Sequence, residues 1–389
     1  MAQPAMEIGL VKRSFRLHGG GERQIGYLTE GLLAQGHAVH LFSASPPPTR
    51  QSEGLTYHTL RVIPAPRAFR ALGFALVVRS ALRRAGLAVV QSFERTLGQQ
   101  IYRAGEGVHR EWVQRKHQSL STLARGWSHL SLFDRMLLVL ERQVLCETPM
   151  IVVNAERGRH EISHHYGVPS TRMLTIYNGV DTDRFNAGVR RLREMQRTAW
   201  GVSADDVVVL CVGSGFHRKG LDCAIEALGE LRRRGIDQIR LVVVGKGRPG
   251  PYRRLARQVA VADRVWFEGH RADVERYYAG ADLFVLPTRY DPFANTCLEA
   301  MACGLPVLTT TANGAAELIR DGVNGCVLAA PPTADTLADA VQSLLPCEPR
   351  AAMGEAAQRT AGEYPLARAL RHTVQAYQAV VSQPPVARS

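Results

Sequence analysis

The stretch RYDPFANTCLEAMACGLPVLTT, from Arg289 to Thr310, carries one carboxylate at Asp291 and a second at Glu299, eight positions on. Between them lie Pro292 and Phe293, then the helix-like run NTCLEAMACG. Pro292 suits a loop or a first helical turn, and Gly304 suits a helix stop. LPVLTT then reads as a short buried strand. This order predicts Asp291 in the loop before a helix and Glu299 two turns along it. At the helical rise the two carboxylates would stand roughly 10–12 Å apart. They can touch the two ends of one extended ligand, while the helix N-terminus between them offers N–H groups to an anion. A bare pair of acids at this spacing also fits an ordinary amphipathic helix. Joined to the full run P-F-x-x-x-x-L-E-A-M-A-C-G-L-P-V, it becomes specific.

A second junction of the same kind lies upstream. VVVLCVG is a continuous apolar strand, SGFHRKG a loop, and LDCAIEALGELRRRG a helix with apolar i, i+3, i+4 spacing. The loop carries Ser214, Arg218 and Lys219. Arg218 offers a planar fork for phosphate and Lys219 a compact charge. Such a pair on a plain surface means only solubility, but at a strand end before a helix it matches a diphosphate. A third loop, Gly269 to Val274 with Arg271, follows the strand VWFEG. Near the N-terminus, Gly19, Gly20 and Gly21 stand between a strand and a helix, where backbone N–H groups can approach a phosphate. The G-x-G-x-x-G spacing is absent there, so a dinucleotide fingerprint is not supported.

Working outward, strands and helices alternate along the chain. MEIGLVKRSF, VHLFSAS, LAVVQSF, PMIVVNA and MLTIYNGVD read as strands of a first half, separated by helical runs. VVVLCVG, IRLVVVG, VWFEG, LFVLPT, LPVLTT and NGCVLAA read as strands of a second half, and their apolar runs suit parallel strands covered on both faces. The architecture predicted is α/β, with two doubly wound, Rossmann-like parallel sheets. The domains predicted are residues 1–181 and 182–363, followed by a terminal helix over 364–384.

The 389 residues suffice for two such domains, and 46% hydrophobic with 21% charged residues describes a globular chain. No apolar run approaches a membrane span, and the N-terminus lacks a signal peptide's apolar core, so a cytoplasmic location is expected. Seven cysteines show no metal-ligand spacing, and Cys211, Cys223, Cys297, Cys303 and Cys326, in apolar contexts, read as reduced core residues. The net charge of +13 admits phosphorylated ligands, an anionic membrane or nucleic acid. The segment Tyr102 to Trp127 is rich in Arg, Lys and His and contains Trp112 and Trp127. It suits an inner-membrane surface, with Arg103, Arg110, Arg115 and Lys116 near lipid phosphates, or a solvated basic helix. A nucleic-acid-binding module has only the charge in its favour.

The Asp291–Thr310 block resembles the E-x7-E signature of the retaining glycosyltransferases of family 4, which have the GT-B fold. VGSGFHRKGLDCAIEAL resembles the donor-phosphate block of the lipopolysaccharide core glucosyltransferases within that family. The resemblance implies two domains facing a central cleft, the first binding acceptor and the second a nucleotide sugar. It implies hexose transfer from UDP-glucose to a saccharide, most simply the lipopolysaccharide inner core, with retention and with no metal or other cofactor. Another cell-surface polysaccharide or glycolipid is the alternative acceptor, and a GT-B nucleotide-sugar epimerase the alternative reaction. Arg218 and Lys219 would stabilise the departing diphosphate, faced also by Ser214 and the loop Gly19, Gly20 and Gly21. Asp291 and the backbone of Phe293, Ala294, Asn295 and Thr296 would hold the donor sugar. Glu299 would hold the ribose, and the loop with Arg271 the base. The family carries Glu where this chain has Asp291, one methylene shorter, which leaves the sugar open. On the acceptor side, Glu106 falls where core glucosyltransferases place an Asp near the reacting hydroxyl, and His109 is its rival. A terminal helix crossing back to the first domain is also implied.

Overall fold

Among the residues described by the computed structural model (5–14, 20–45, 52–64, 66–118 and 131–382), every strand pairing is parallel, and the strands fall into two separate sheets. The chain divides into two units, Met1–Asn178 with Ala367–Ser389, and Gly179–Leu366.

The first unit holds β1 (Glu7–Val11), β2 (Ala38–Ser43), β3 (Leu55–Thr59), β4 (Val89–Ser92), β5 (Ile101–Arg103), β6 (Met150–Val153) and β7 (Met173–Thr175), in the order β3-β2-β1-β4-β5-β6-β7. Its helices are α1 (Gly20–Ala34), α2 (Arg67–Ala85), α3 (His109–Gln118), α4 (Leu132–Glu147) and α5 (Glu156–Tyr166). The second unit holds β8 (Val207–Val212), β9 (Ile239–Val244), β10 (Val265–Gly269), β11 (Leu283–Leu286), β12 (Val307–Thr310) and β13 (Gly325–Leu328), in the order β10-β9-β8-β11-β12-β13. Its helices are α6 (Arg193–Trp200), α7 (Leu221–Arg233), α8 (Gly250–Gln258), α9 (Glu275–Gly280), α10 (Asn295–Ala302), α11 (Ala334–Ser343) and α12 (Cys347–Gly362).

Burial explains the apolar runs. All six residues of β8 and all four of β11 and β12 are buried. A parallel sheet needs such two-faced strands because its crossover helices cover both sides. The last helix, α13 (Leu366–Val381), packs into the first unit: Val374, Ala376 and Tyr377 join Ile8, Leu10, Leu41 and Ile101 in one core cluster. Burying Tyr377 completely contributes roughly 1.5–3 kcal/mol through its ring.

Strand order reverses between β1 and β4 in the first sheet and between β8 and β11 in the second. At such a reversal the loops leaving neighbouring strands part to opposite faces and open a crevice at the strands' carboxyl ends. Some elements escape the sequence reading. LTYHT forms the edge strand β3 with no fully buried residue, so it lacks an apolar run. Of α8 and α9, the first has one buried residue and the second spans six residues, too few for a periodic signal. No helix of the described residues is long and apolar enough to cross a membrane.

Candidate active site

In the second unit the loop after β8 is pressed against the loop after β11. Gly220 has φ 71°, and a Cβ there would lie 1.9 Å from the Pro287 carbonyl oxygen, so only glycine fits. At the neighbouring strand end, a Cβ on Gly245 would lie 2.1 Å from the Gly213 carbonyl oxygen. Ser214 Oγ accepts the Lys246 N–H at 3.1 Å, tying the two loops together. Arg289 locks the junction from the other side. Its backbone N–H donates to the Arg218 carbonyl at 2.9 Å, and its guanidinium holds both oxygens of Asp222 at 2.8 and 2.5 Å.

This fixing makes Lys219, Arg218 and Asp291 converge. Lys219 Nζ lies 2.6 Å and Arg218 Nη1 3.0 Å from Asp291 Oδ2. Asp291 is itself held by backbone: its N–H donates to the Ala312 carbonyl, its carbonyl accepts from Gly314, and its Oδ1 accepts from Phe293 at 3.2 Å. Burial opposes its charge, but Lys219, Arg218 and the Phe293 N–H outweigh burial and hold the carboxyl below its ordinary pKa. Lys219 is buried, whereas the Arg218 side chain keeps 37% of its surface exposed. The sequence reading gives the two cations and Asp291 different parts of a ligand. In the structure all three meet at one carboxylate oxygen, so anything bound there meets them as a unit.

The helix begins later than Pro292 suggests. Ala294 is extended, with φ −80° and ψ 100°, and α10 starts at Asn295, so Glu299 sits about one turn along it rather than two. The cause is the bridge between Asp291 and Asn313, which holds the preceding backbone extended. Asn313 Oδ1 then accepts the N–H groups of Ala294 and Ala315, both at 3.1 Å. Phe293 and Ala294 are buried, and Asn295 is half-buried. Thr296 Oγ1 is buried with no hydrogen-bond partner among the described residues. Glu299 Oε2 accepts from the Tyr278 hydroxyl at 2.9 Å. Arg271 pairs with Glu268 at 3.2 Å on the surface. Gly20 and Gly21 open α1, and Gly19 lies outside the described residues.

The first unit shows its own polar cluster at the reversal of its sheet. Glu106, after β5, lies 3.5 Å from Lys12 Nζ and 3.4 Å from Arg95 Nη1. Desolvation opposes its charge, but Lys12 and Arg95 overcome this and lower its pKa. Arg95 is buried and donates to Glu141 on α4 through Nε at 3.1 Å and Nη2 at 2.9 Å. The same Glu141 accepts the Tyr166 hydroxyl at 2.5 Å and the first backbone N–H groups of α3, from His109 and Arg110, at 2.8 and 3.1 Å. That is a helix N-terminus satisfied by a buried carboxylate. Glu106 and Arg95 line a cavity of about 500 Å³. The His109 ring instead turns to Asp134, 3.0 Å away, with little exposure.

The basic segment divides. Tyr102 is buried in the sheet, and Arg103 donates to the Asn178 side chain at 2.8 Å, so neither is presented to a lipid surface. Arg115 pairs with Glu111 at 2.6 Å, and Arg110 lies over the Tyr166 ring. Residues 119–130, with Trp127, lie outside the described residues.

None of Arg95, Glu141, Tyr278, Arg289 and Asn313 stands out in the sequence as a site residue. Asn313 had a signal, an Asn-Gly pair separated by two residues from the end of a strand, which marks a built turn.

Comparison with known proteins covers both units. Residues 18–184 match the family described as Glycosyltransferase Family 4, and residues 206–346 match Glycosyl transferases group 1. The lipopolysaccharide glucosyltransferase WaaG of Escherichia coli K12 is 27% identical over 337 residues, covering 85% of this chain and 87% of that one. A D-inositol 3-phosphate glycosyltransferase of Corynebacterium aurimucosum is 31% identical over 228 residues, 56% of this chain and 54% of that one. The crystal structure of WaaG superposes with a TM-score of 0.82 at 25% identity, covering 97% of this chain and 100% of that one. The crystal structure of Anabaena HepE with UDP-glucose, at 17% identity and TM-score 0.74 over 96% of this chain and 100% of that one, shares the fold.

Proposed function

The chain belongs to the family 4 glycosyltransferases of GT-B fold, and we propose that it moves glucose from UDP-glucose, with retention, to the inner core of a lipopolysaccharide. The observation that carries this reading is the convergence of Lys219, Arg218 and Asp291 at the reversal of the second sheet. Breaking a sugar–phosphate bond loads negative charge onto the leaving diphosphate, and preformed cations stabilise that charge without reorganisation. Arg218 and Lys219 supply it here, so the chemistry needs no metal. Asp291 serves the donor sugar, with the turn Phe293 to Thr296, whose Thr296 hydroxyl is buried and unmatched among the described residues. Glu299, oriented by Tyr278, takes the ribose hydroxyls. In the first unit Glu106 accepts a hydrogen bond from the reacting hydroxyl. Its lowered pKa keeps it ionised at neutral pH, and it lines an open cavity, which His109 does not.

A donor screen tests this. UDP-glucose is expected to release UDP faster than other nucleotide sugars and to label truncated lipopolysaccharide cores. Recovery of an epimerised nucleotide sugar with no transfer would instead support the epimerase reading.

The acceptor chemistry adds a membrane. On α2, Phe69 and Leu76 are 42% and 52% exposed and one heptad apart. On the adjoining α4, Leu132 and Val139 are 56% and 66% exposed with the same spacing. We propose that these apolar stripes rest on the anionic cytoplasmic face of the inner membrane, each Arg near that surface adding ~1 kcal/mol. Co-sedimentation with anionic but not neutral vesicles is expected. A protein left in the supernatant with both at low salt overturns it.

A further inference from the structure

The cavity in the first unit has two unlike walls. Ala71, Phe74, Phe133 and Leu137, from α2 and α4, form the apolar one. Charged groups form the other, from the loops after β1, β4 and β5 and from one turn of α2. Most of these charges are already matched. Glu94 lies 3.2 Å from Lys12, Glu106 lies between Lys12 and Arg95, and Arg95 is held by the buried Glu141. Two groups remain. Arg13 and Arg70 both line the cavity, both are exposed, and neither has an ion pair among the described residues. Counting Lys12, Arg13, Arg70 and Arg95 against Glu94, Glu106 and Glu141 leaves the site with one cation in excess.

Unmatched arginines that line a cavity differ from those spread over a surface. Each presents a planar fork of N–H donors that fits the oxygens of a phosphate or carboxylate, and the apolar wall opposite thins the water that would otherwise screen the charge. The cavity also holds Glu106. A saccharide seated against Phe133 would therefore have a hydroxyl near Glu106 and any anionic substituent near the two arginines.

From this arrangement we infer that Arg13 and Arg70 form an anion subsite that selects acceptors carrying a phosphate or carboxylate group. The inference rests on the reading of this unit as the acceptor side. It makes the enzyme choose its acceptor by charge as well as by sugar shape. Neither arginine touches the reacting atoms, so both act on specificity. Their loss falls on acceptor affinity, and a neutral acceptor does not feel it.

The test measures binding of an inner-core oligosaccharide in three forms: intact, stripped of phosphate, and with its carboxyl groups reduced. Each is titrated into the full-length protein and into Arg13→Ala, Arg70→Ala and the double variant, with inorganic phosphate as competitor. Intact oligosaccharide is expected to lose about tenfold in affinity for each arginine removed, as charge-assisted hydrogen bonds would require. In the wild type, removal of the recognised anion costs the two factors together, about a hundredfold, and in the double variant it costs nothing further, the signature of a direct pairing. If only the phosphate-free form is weakened the anion is phosphate, and if only the reduced form is weakened it is carboxylate. Arg13→Lys and Arg70→Lys keep the charge without the fork and should fall between, which separates recognition from misfolding. Equal sensitivity to anion removal in the wild type and the double variant overturns the subsite, as does failure of phosphate to compete. UDP-glucose binding, followed in the same samples, reports on the donor reading separately. Its absence would sink the glycosyltransfer reading while the oligosaccharide titrations still decide the subsite.

Discussion

The two sheets reverse at equivalent places, yet the polar junctions they expose are built differently. At β8 and β11 the key groups come from two contiguous runs, SGFHRKG and RYDPFAN, and close on one another: two cations share one oxygen of Asp291. At β1, β4 and β5 they come from separated points, Lys12 and Arg13, Arg70, Glu94 and Arg95, Glu106 and Glu141, and surround an open cavity. The first is a compact charge cluster fixed by glycines that admit no side chain. The second is a chain of paired side chains, Glu94, Lys12, Glu106, Arg95 and Glu141, with Arg13 and Arg70 beside it. A compact cluster suits a constant ligand part such as a diphosphate, and an assembled wall suits a part that varies between relatives, such as an acceptor.

The largest effect should come from breaking the compact cluster. Lys219→Ala removes the buried cation nearest Asp291 and is expected to lower kcat about a hundredfold, as loss of one preorganised charge at a leaving group does. It also leaves a buried carboxylate short of its partner, which costs roughly 3–5 kcal/mol of stability where no other charge compensates. Arg218 remains on the same oxygen, so the loss should be smaller than that. Arg218→Ala, at a more exposed position, should lower kcat about tenfold with little change in melting temperature. Steady-state kinetics and thermal melts on both variants check the order. Wild-type turnover in both would remove the cluster from the donor site.

Next in size is Glu106→Gln. The amide cannot take a proton from the acceptor hydroxyl, so transfer should fall about tenfold or more while UDP-glucose hydrolysis by water is nearly kept. A parallel fall in both would place Glu106 in the fold rather than in the acceptor step. His109→Ala is expected to leave transfer closer to wild type, because its ring is committed to Asp134.

The assembled wall should also be tunable through its links. Lys12 lies 3.5 Å from Glu106 and is one of the groups that lower its pKa. Because the pKa is depressed, Glu106 is ionised at neutral pH and its activity is lost only as pH falls through that lowered value. Lys12→Met removes one stabilising charge, so the acid limb of kcat/KM for transfer should move to higher pH, towards the ordinary carboxylate value. An unchanged or downward-moving limb would show that Glu106 does not govern it.

This contrast also explains what the sequence made legible. Two doubly wound parallel halves were readable because strands such as VVVLCV and LFVL are buried on both faces and leave unbroken apolar runs. The runs that hold Asp291, Glu299, Arg218 and Lys219 were readable as strand–loop–helix junctions, because an apolar strand precedes each and a helix follows it. Arg95 and Glu141 were not, since they are 46 residues apart and nothing local marks either as buried. The edge strand β3 was missed for a related reason, its half-exposed residues giving no apolar signal. The late start of α10 was missed because it depends on Asn313, eighteen residues downstream of the Asn295 it precedes in space.

The smallest expected effect concerns Glu299, which belongs to the contiguous run but is oriented by a residue outside it. Tyr278, on α9, is fully buried and donates to Glu299 Oε2 at 2.9 Å. Burial, then the negative Glu299 beside it, raises its pKa, so the hydroxyl stays protonated and remains a donor over the working pH range. Tyr278→Phe keeps the ring packed against Phe185 and Phe284 and removes only the hydroxyl. One neutral-to-charged hydrogen bond is lost, and the carboxylate gains freedom without losing its charge, so UDP affinity should fall about threefold to tenfold. Glu299→Gln removes the charge as well and should cost more, with the same preference for UDP binding over the sugar-dependent part of the affinity. Titrations of UDP and UDP-glucose into both variants measure this. If Tyr278→Phe leaves UDP binding untouched while Glu299→Gln weakens it, the orienting role is wrong and Glu299 acts alone. Such a result would make this end of the donor site wholly local, and would sharpen the difference from the acceptor wall.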